Sequence, residues 1–265
     1  MLVTVLAEQR REYILGRLRD TGAVRVSELV RHLGVSDMTV RRDLNDLAAR
    51  GLAHKVHGGA TSTARSTDEP GFTAKSAREL AEKRAIAAAA AALVSPGSAI
   101  GISAGTTTWM FARELLHVPG LTVVTNSVQV AELLHAAGGA ERTVVLTGGV
   151  RTPSDALVGP VAVCALRSLN LDVVFMGVHG MDERGGFTTP NLLEADTDRA
   201  LVAAGRRLVV LADHTKWGVV GISTFARLDE ADVLVTDEGI DPAGRQLLQE
   251  SVGQLLVAPP VAVAG

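Results

Sequence analysis

Apolar residues along the first fifty positions recur at helical spacing, broken by short polar or glycine-containing punctuation. Ile14, Leu15 and Leu18 share one face of a helix that the pattern ends near Asp20-Thr21-Gly22, where glycine is a suitable stop. Ser27 is placed to cap a second helix carrying Leu29, Val30 and Leu33, and Gly34-Val35-Ser36 makes a tight turn into a third. In that third helix Val40, Leu44 and Leu47 stand at i, i+4 and i+7, the spacing of a buried stripe. Asp37, Met38, Arg41, Arg42 and Asn45 are thereby turned outward. After Gly51 the segment from Leu52 to Gly59 alternates apolar and polar residues as a small strand pair does. The whole describes a helix-turn-helix followed by a wing.

Residues 61–78 are rich in Thr, Ser and Ala, include Pro70-Gly71, and hold no sustained apolar period. They read as a linker, either flexible or packed as an irregular loop. From Glu79 onward helical stretches alternate with short β-branched runs, the pattern of a parallel sheet covered by helices. Ala99–Ile102, Thr122–Thr125, Thr143–Thr147, Val173–Val178, Leu208–Ala212 and Val233–Thr236 are the expected strands. Thr107–Leu116, Val128–Ala136, Val161–Leu169, Leu192–Ala204 and Pro242–Ser251 are the expected helices, with Ala85–Leu93 a further strong helix former. The predicted architecture is α/β: a small winged helix-turn-helix domain over residues 1–60, a linker over 61–78, a larger open, mostly parallel α/β domain over 79–257, and a tail over 258–265.

Composition narrows the class. The chain is 47% hydrophobic and 21% charged, which supplies core material for two folded domains in 265 residues. Its single cysteine, Cys164, excludes an internal disulfide framework and cysteine-based zinc sites, and its place in an apolar helix reads as core. The opening apolar run, Leu2 to Ala7, is too short for a secretory core, and no later stretch offers the roughly 20 apolar residues of a membrane span. A cytoplasmic location without membrane attachment is expected. Net charge is −3, yet residues 1–60 hold ten Arg and Lys against seven Asp and Glu, while the remainder holds sixteen against twenty-two. The basic excess sits with the helix-turn-helix.

That placement gives the third helix its chemistry. The planar guanidinium of an arginine makes two hydrogen bonds to guanine O6 and N7 or clasps a phosphate, so Arg41 and Arg42 suit base and backbone contacts with double-stranded DNA. The competing reading pairs them with Asp37, Asp43, Asn45 or Asp46 as solvated helix residues. Ser36 and Thr39 at the helix start are placed to share a phosphate with backbone amides, and Lys55 and His57 on the wing to touch the backbone or minor groove. In the larger domain, segments just after expected strands are polar and glycine-rich: Ser103-Ala104-Gly105-Thr106-Thr107-Thr108, Thr125-Asn126-Ser127 and Thr147-Gly148-Gly149-Val150-Arg151. Each alone serves equally as a helix cap, but three such segments at one rim, with Arg151 and Lys216, suit an anionic guest such as phosphate.

Residues 10 to 60 resemble the DNA-binding domain of the DeoR family of bacterial transcriptional regulators, through Thr39-Val40-Arg41-Arg42-Asp43-Leu44, Leu47, Gly51 and a wing ending His57-Gly58-Gly59-Ala60. Residues 79 to 240 resemble that family's sensor domain, which is similar in fold to ribose-5-phosphate isomerase. The segments that carry this second likeness are Gly105-Thr106-Thr107, Thr125-Asn126-Ser127, Gly148-Gly149, Gly159-Pro160, Gly177-Val178-His179-Gly180-Met181-Asp182, Glu194-Ala195 and Asp213-His214-Thr215-Lys216-Trp217-Gly218. The resemblance implies a repressor of carbohydrate metabolism genes, acting as a homodimer or homotetramer on a DNA operator, with a phosphorylated sugar as effector. It adds His179, Asp182 and Glu194 to the expected effector site. Three departures stand out: Lys55 replaces a usual arginine, Ser103 replaces an aspartate before the Gly-Thr-Thr turn, and His179 replaces the aspartate of a Gly-Val-Asp-Gly segment. Lysine keeps the charge but loses the fork, and the other two exchanges remove acidic acceptors of sugar hydroxyls.

An aldose-ketose isomerase with an accessory DNA-binding domain is the rival expectation, with Asp182, Glu183, Glu194 or Asp198 as base and Lys216 as cation. Isomerases of this fold carry their base in an Arg-Glu-Lys run, whereas Asp198-Arg199 stands near that position here, so no catalytic residue is assigned. His135, His179 and His214 lack metal-ligand spacing, and neither metal nor cofactor is expected.

Overall fold

Helix start and wing are joined through one backbone bond: the amide of Val26 donates to the carbonyl of Gly58 at 2.9 Å. The computed structural model describes residues 7–21, 23–56, 58–62, 71–76, 78–138 and 141–260. The chain divides into two compact units, Met1–Asp68 and Glu69–Gly265.

The first unit holds α1 (Ala7–Thr21), β1 (Ala23–Arg25), α2 (Val26–Leu33), α3 (Asp37–Ala49), β2 (Ala53–Val56) and β3 (Gly59–Ser62). Its strands form an antiparallel sheet in the order β1-β3-β2. Val40, Leu44 and Leu47 are buried with Ile14, Leu18, Val24, Val26 and Leu29, so the stripe predicted for the third helix is the core of the unit. Ser27 does not cap α2. Arg25 precedes that helix without a side-chain cap, and the Gly58 carbonyl accepts from the amide of Val26, the first residue of the helix. Strand β1 was not foreseen, and it explains Gly59: a Cβ there would lie 2.1 Å from the carbonyl oxygen of Val24, so only glycine permits the β1–β3 pairing.

The second unit begins with α4 (Phe72–Ser76) and α5 (Leu80–Ala91). The reading of residues 61–78 as a linker is therefore corrected at both ends. β3 runs to Ser62, and α4 is held by the Phe72 ring set edge-on to Trp109 at 6.2 Å and by the Lys83 ammonium, which donates to the carbonyls of Lys75 and Arg78 at 2.8 and 2.6 Å. There follow β4 (Ala99–Ile102), α6 (Thr106–Glu114), β5 (Thr122–Thr125), α7 (Val128–Ala136), β6 (Thr143–Leu146), the hairpin β7 (Val150–Arg151) and β8 (Leu157–Val158), and α8 (Pro160–Arg167). The chain continues through β9 (Val173–Gly177), β10 (Gly180–Asp182), β11 (Gly186–Thr189), α9 (Leu192–Ala204), β12 (Leu208–Leu211), β13 (Ser223–Ala226), β14 (Val233–Asp237), α10 (Pro242–Ser251) and β15 (Leu255–Ala258).

Seven strands form one parallel sheet in the order β15-β14-β12-β9-β4-β5-β6, while β10, β11 and β13 form a small antiparallel sheet. Alternation along each central strand divides the core into two layers. Phe175, Val209, Leu211, Val233 and Val235 face α5, α6 and α7, with Phe175 against Phe111 at 4.3 Å. Val174, Met176, Val210 and Leu234 face α8, α9 and α10. The unforeseen β15 pairs with β14 through Ala258, which the sequence pattern had assigned to the tail; Pro259 ends it by removing a ladder donor.

Cys164 also departs from expectation. It is exposed, because the buried face of α8 runs through Ala162 and Leu166 and a residue two positions from Ala162 points away from it. Ellman's reagent should therefore titrate one thiol in the native protein within minutes; a thiol reactive only after denaturation would refute this placement.

Candidate functional site

Helix α3 presents the expected reading face. Ser36 precedes it, its hydroxyl accepting from the Thr39 amide at 3.2 Å and lying 2.8 Å from the Thr39 hydroxyl. Met38 is 76% exposed, an apolar side chain suited to contact with a thymine methyl. Arg41, Arg42 and Asn45 are exposed on the same helix, and Lys55 is exposed on β2, whereas His57 lies outside the described residues. Part of the ion-pairing alternative is present: Arg41 donates to both oxygens of Asp37, at 2.5 and 3.4 Å, through side chains 51% and 58% exposed. Water competes well for such a pair, so it orients the guanidinium without locking it. Asp43 and Asp46 answer to other arginines. Arg10 of α1 binds the buried Asp43 at 2.8 Å, and Asp46 is shared by Arg11 and Arg50. Asp43 and Asp46 thus fasten the helix to α1.

Ligand chemistry in the second unit gathers at the carboxyl edge of its parallel sheet. The register pairs Ile102 with both Thr125 and Phe175, and Leu211 with Gly177, so the ends of β5, β4, β9 and β12 leave the sheet side by side. Ser103 follows β4, its hydroxyl accepting from the Gly177 amide at 2.9 Å and facing the Ala104 carbonyl at 3.4 Å. Gly105 precedes α6, whose first residues Thr106, Thr107 and Thr108 are buried. Asn126 follows β5; its Oδ1 accepts from the Ala104 amide at 2.8 Å, which fixes the amide orientation, and its buried Nδ2 has no partner among the described residues.

Several predicted contacts have structural duties instead. The Thr108 hydroxyl donates to the Gly105 carbonyl, Thr125 donates to the Ile102 carbonyl, and Ser127 caps α7. Glu194 accepts from Ser154 at 3.2 Å and Thr189 at 2.7 Å, and Asp182 closes the β10–β11 turn by accepting the amides of Arg184 and Gly185. Arg151 is exposed and paired with Asp155 at 2.8 Å. Gly148 and Gly149 lead into the hairpin; a Cβ on Gly149 would fall 2.6 Å from the Val158 carbonyl oxygen, so this glycine permits hairpin closure.

The cationic centre is larger than expected. Asp213 follows β12 and accepts from the Thr215 amide and hydroxyl through Oδ1, while its buried Oδ2 has no partner among the described residues. Lys216 ends the same turn, half-buried. Lys83, only 3% exposed, was not foreseen as a site residue; burial lowers its pKa to about 8 against the attraction of Asp213, and Lys216 pushes in the same direction as burial. Its register with Ile86, Ala87 and Ala90 was the available signal, a charge inside a buried stripe. His179, two residues past β9, has its pKa lowered to about 4 by burial, reinforced by Lys216 and Lys75. His214 moves the opposite way, held protonated more readily by the hydrogen bond from its Nδ1 to Asp237 at 2.8 Å. Among the described residues no group of His, Cys, Asp and Glu could hold a metal ion, and no helix is long and apolar enough to cross a membrane.

A winged helix with an arginine-bearing reading face, followed by a parallel α/β unit with a cationic rim, defines a DNA-binding regulator with a sensor. The chain belongs to the DeoR family: residues 10–66 match the DeoR-like helix-turn-helix domain and residues 78–238 the DeoR C terminal sensor domain. It is 38% identical over 252 residues to the HTH-type transcriptional regulator YgbI of Escherichia coli, covering 94% of this chain and 97% of that protein. It is 35% identical over 254 residues to the HTH-type transcriptional regulator GlpR of Haloferax volcanii, covering 96% and 98%. It is also 35% identical over 231 residues to the lactose phosphotransferase system repressor of Staphylococcus aureus, covering 86% and 91%. These relatives are named as regulators, not enzymes, and the chain is a transcriptional regulator with them. Among solved structures, ribose 5-phosphate isomerase A from Neisseria gonorrhoeae aligns at 20% identity with a TM-score of 0.37, over 52% of this chain and 53% of that one.

Proposed function

We propose that the protein is a cytoplasmic repressor of carbohydrate-utilisation genes whose hold on its operator is changed by a phosphorylated sugar at the carboxyl edge of the sensor sheet. The observation that carries this reading is the clustering of Lys83 and Lys216 with Asp213, and of Lys216 and Lys75 with His179, at an edge that also holds two buried side-chain atoms, Asn126 Nδ2 and Asp213 Oδ2, without a partner among the described residues. Phosphate oxygens take protons of Lys216 and the third proton of Lys83, whose other two go to the carbonyls of Lys75 and Arg78; a sugar hydroxyl bridges the amide donor and the carboxylate acceptor. The name of the Staphylococcus aureus relative, a repressor of a lactose phosphotransferase system, supports the same effector class.

On DNA, α3 lies in the major groove with Arg41, Arg42, Met38 and Asn45 toward base edges. Ser36 and Thr39 meet the phosphate at the helix start, Asp37 faces the groove beside the Arg41 guanidinium it pairs with, and Lys55 and His57 meet the backbone beside the wing. A symmetric dimer or tetramer places two such helices on repeated half-sites. Ligand binding then shifts operator affinity by roughly 5- to 150-fold, the range of ordinary coupling between sites. Lys216→Ala is expected to keep operator affinity and to lose the response to a sugar phosphate that releases the unaltered protein. Fluorescence anisotropy of a labelled operator, titrated with that compound, measures both, and an intact response in the variant rejects the site.

A further inference from the structure

We infer that the sensor's ligand carries a carboxylate as well as its phosphate, a phosphorylated sugar acid, and that Ser103 and His179 select that carboxylate over a hydroxymethyl group. This rests on the sugar-phosphate reading above and narrows it.

The balance of donors and acceptors at the rim is the first ground. Neighbouring strand ends supply Asn126 Nδ2, a buried donor with no partner among the described residues, and the Ser103 hydroxyl, whose oxygen already accepts from Gly177 and whose proton has only a long contact of 3.4 Å. Two residues beyond the Gly177 that is tied to Ser103 comes His179, whose neutral ring offers one donor and one acceptor and whose protonated ring offers two donors. A neutral sugar tail is mostly a set of hydroxyls that must donate as well as accept. Among the described residues, the one buried carboxylate oxygen without a partner is Asp213 Oδ2. A donor-rich wall suits a ligand end that only accepts.

Charge is the second ground. The charges acting on His179 are those of Lys216 from the turn after β12 and Lys75 from α4, both positive. Asp213 acts instead on Lys83 and His214, and Glu79 acts on the same two groups; Asp237 is engaged by His214. Three lysines and Arg78 against Asp213 and Glu79 leave an excess of two positive charges, which a phosphate dianion cancels. A further carboxylate is balanced when His179 takes up a proton. The imidazole is neutral without ligand, and an anion beside it raises its pKa, so the acid binds with proton uptake and more tightly as pH falls through the ligand-bound pKa. The departures at 103 and 179, a hydroxyl and an imidazole where the family resemblance leads one to expect carboxylates, remove the groups that would repel such a ligand.

Titration calorimetry on the full chain tests this with matched probes: 4-phosphoerythronate against erythritol 4-phosphate, 5-phosphoribonate against ribitol 5-phosphate, and 6-phosphogluconate against sorbitol 6-phosphate. In at least one pair the acid should bind about tenfold or more tightly, the worth of one hydrogen bond between charged groups. Its advantage over the alditol should grow between pH 7.5 and 6, the shared phosphate cancelling in the comparison. Heats in buffers of different ionisation enthalpy should report additional proton uptake for the acid. His179→Asp should abolish or invert the preference, and His179→Asn should abolish the extra proton uptake, with thermal unfolding of each variant as the check on folding. Alditol phosphates binding as tightly as their acids in every pair would overturn the inference and leave the sugar-phosphate site standing. If none of the six binds or alters operator affinity, that underlying reading falls and the inference falls with it. An unchanged preference in folded His179→Asp would remove the selecting role from this residue.

Discussion

Operator DNA is expected to bind the Arg41→Ala/Arg42→Ala double variant on the order of a hundredfold more weakly than the unaltered protein, the combined worth of two arginine contacts. Both side chains are exposed and neither belongs to the core of the first unit, so the loss should come without unfolding. The Asp37 pair sharpens the prediction. Because Arg41 is held by Asp37 in the free protein, Asp37→Ala should leave Arg41 more mobile and weaken binding less than Arg41→Ala does. Anisotropy measured at several salt concentrations separates the roles: an arginine on phosphate reduces the salt slope, whereas one on a base edge relaxes sequence preference. Wild-type affinity in the double variant would remove α3 from the operator.

Arg10→Ala is expected to cost the first unit about 3 kcal/mol, the penalty of leaving a buried carboxylate without its cation. Asp43 is 6% exposed and Arg10 reaches it from α1 with two hydrogen bonds, at 2.8 and 3.4 Å, so the pair fixes the seating of α1 against α3. Hydrogen exchange read separately over α1, α3 and the sensor strands should show protection lost in the first two and retained in the third. A double replacement, Arg10→Met with Asp43→Leu, should recover much of the stability, since removing both charges removes the desolvation cost. Protection of α1 and α3 unchanged in Arg10→Ala would show that the ion pair is dispensable.

Much of the architecture was legible because it depends on local periodicity. The stripe of Val40, Leu44 and Leu47 is set by helical geometry alone, and the apolar runs of β4, β5, β9, β12 and β14 are long enough to mark strands buried on both faces. Elements held by distant partners were not legible. β1 is three residues long and exists through its pairing with β3, while α4 depends on Trp109 and Lys83. α2 starts without the expected Ser27 cap, and its first amide is tied to the Gly58 carbonyl from across the unit.

The candidate site divides in the same way. Ser103, Asn126 and Lys216 were found because polar residues following parallel strands gather at one edge. Glu194 and Asp182 were found by motif and Arg151 by its place after an expected strand, yet their hydrogen bonds and ion pair bind turns and helix starts. Lys83 and Lys75 escaped notice because a lysine among alanines, or in a stretch read as linker, looks solvated until tertiary packing covers it.

All seven strands of the sensor sheet run the same way, which separates two kinds of evolutionary change. Positions within the strands are constrained by both apolar layers, so alterations there risk folding itself. Positions just beyond the strand ends that stay partly exposed, such as 179 and 216, sit outside those layers and are open to mutation at smaller cost in stability. A lineage built on this sheet is therefore able to follow new nutrients by exchanging a few rim side chains while its interior stays as it is.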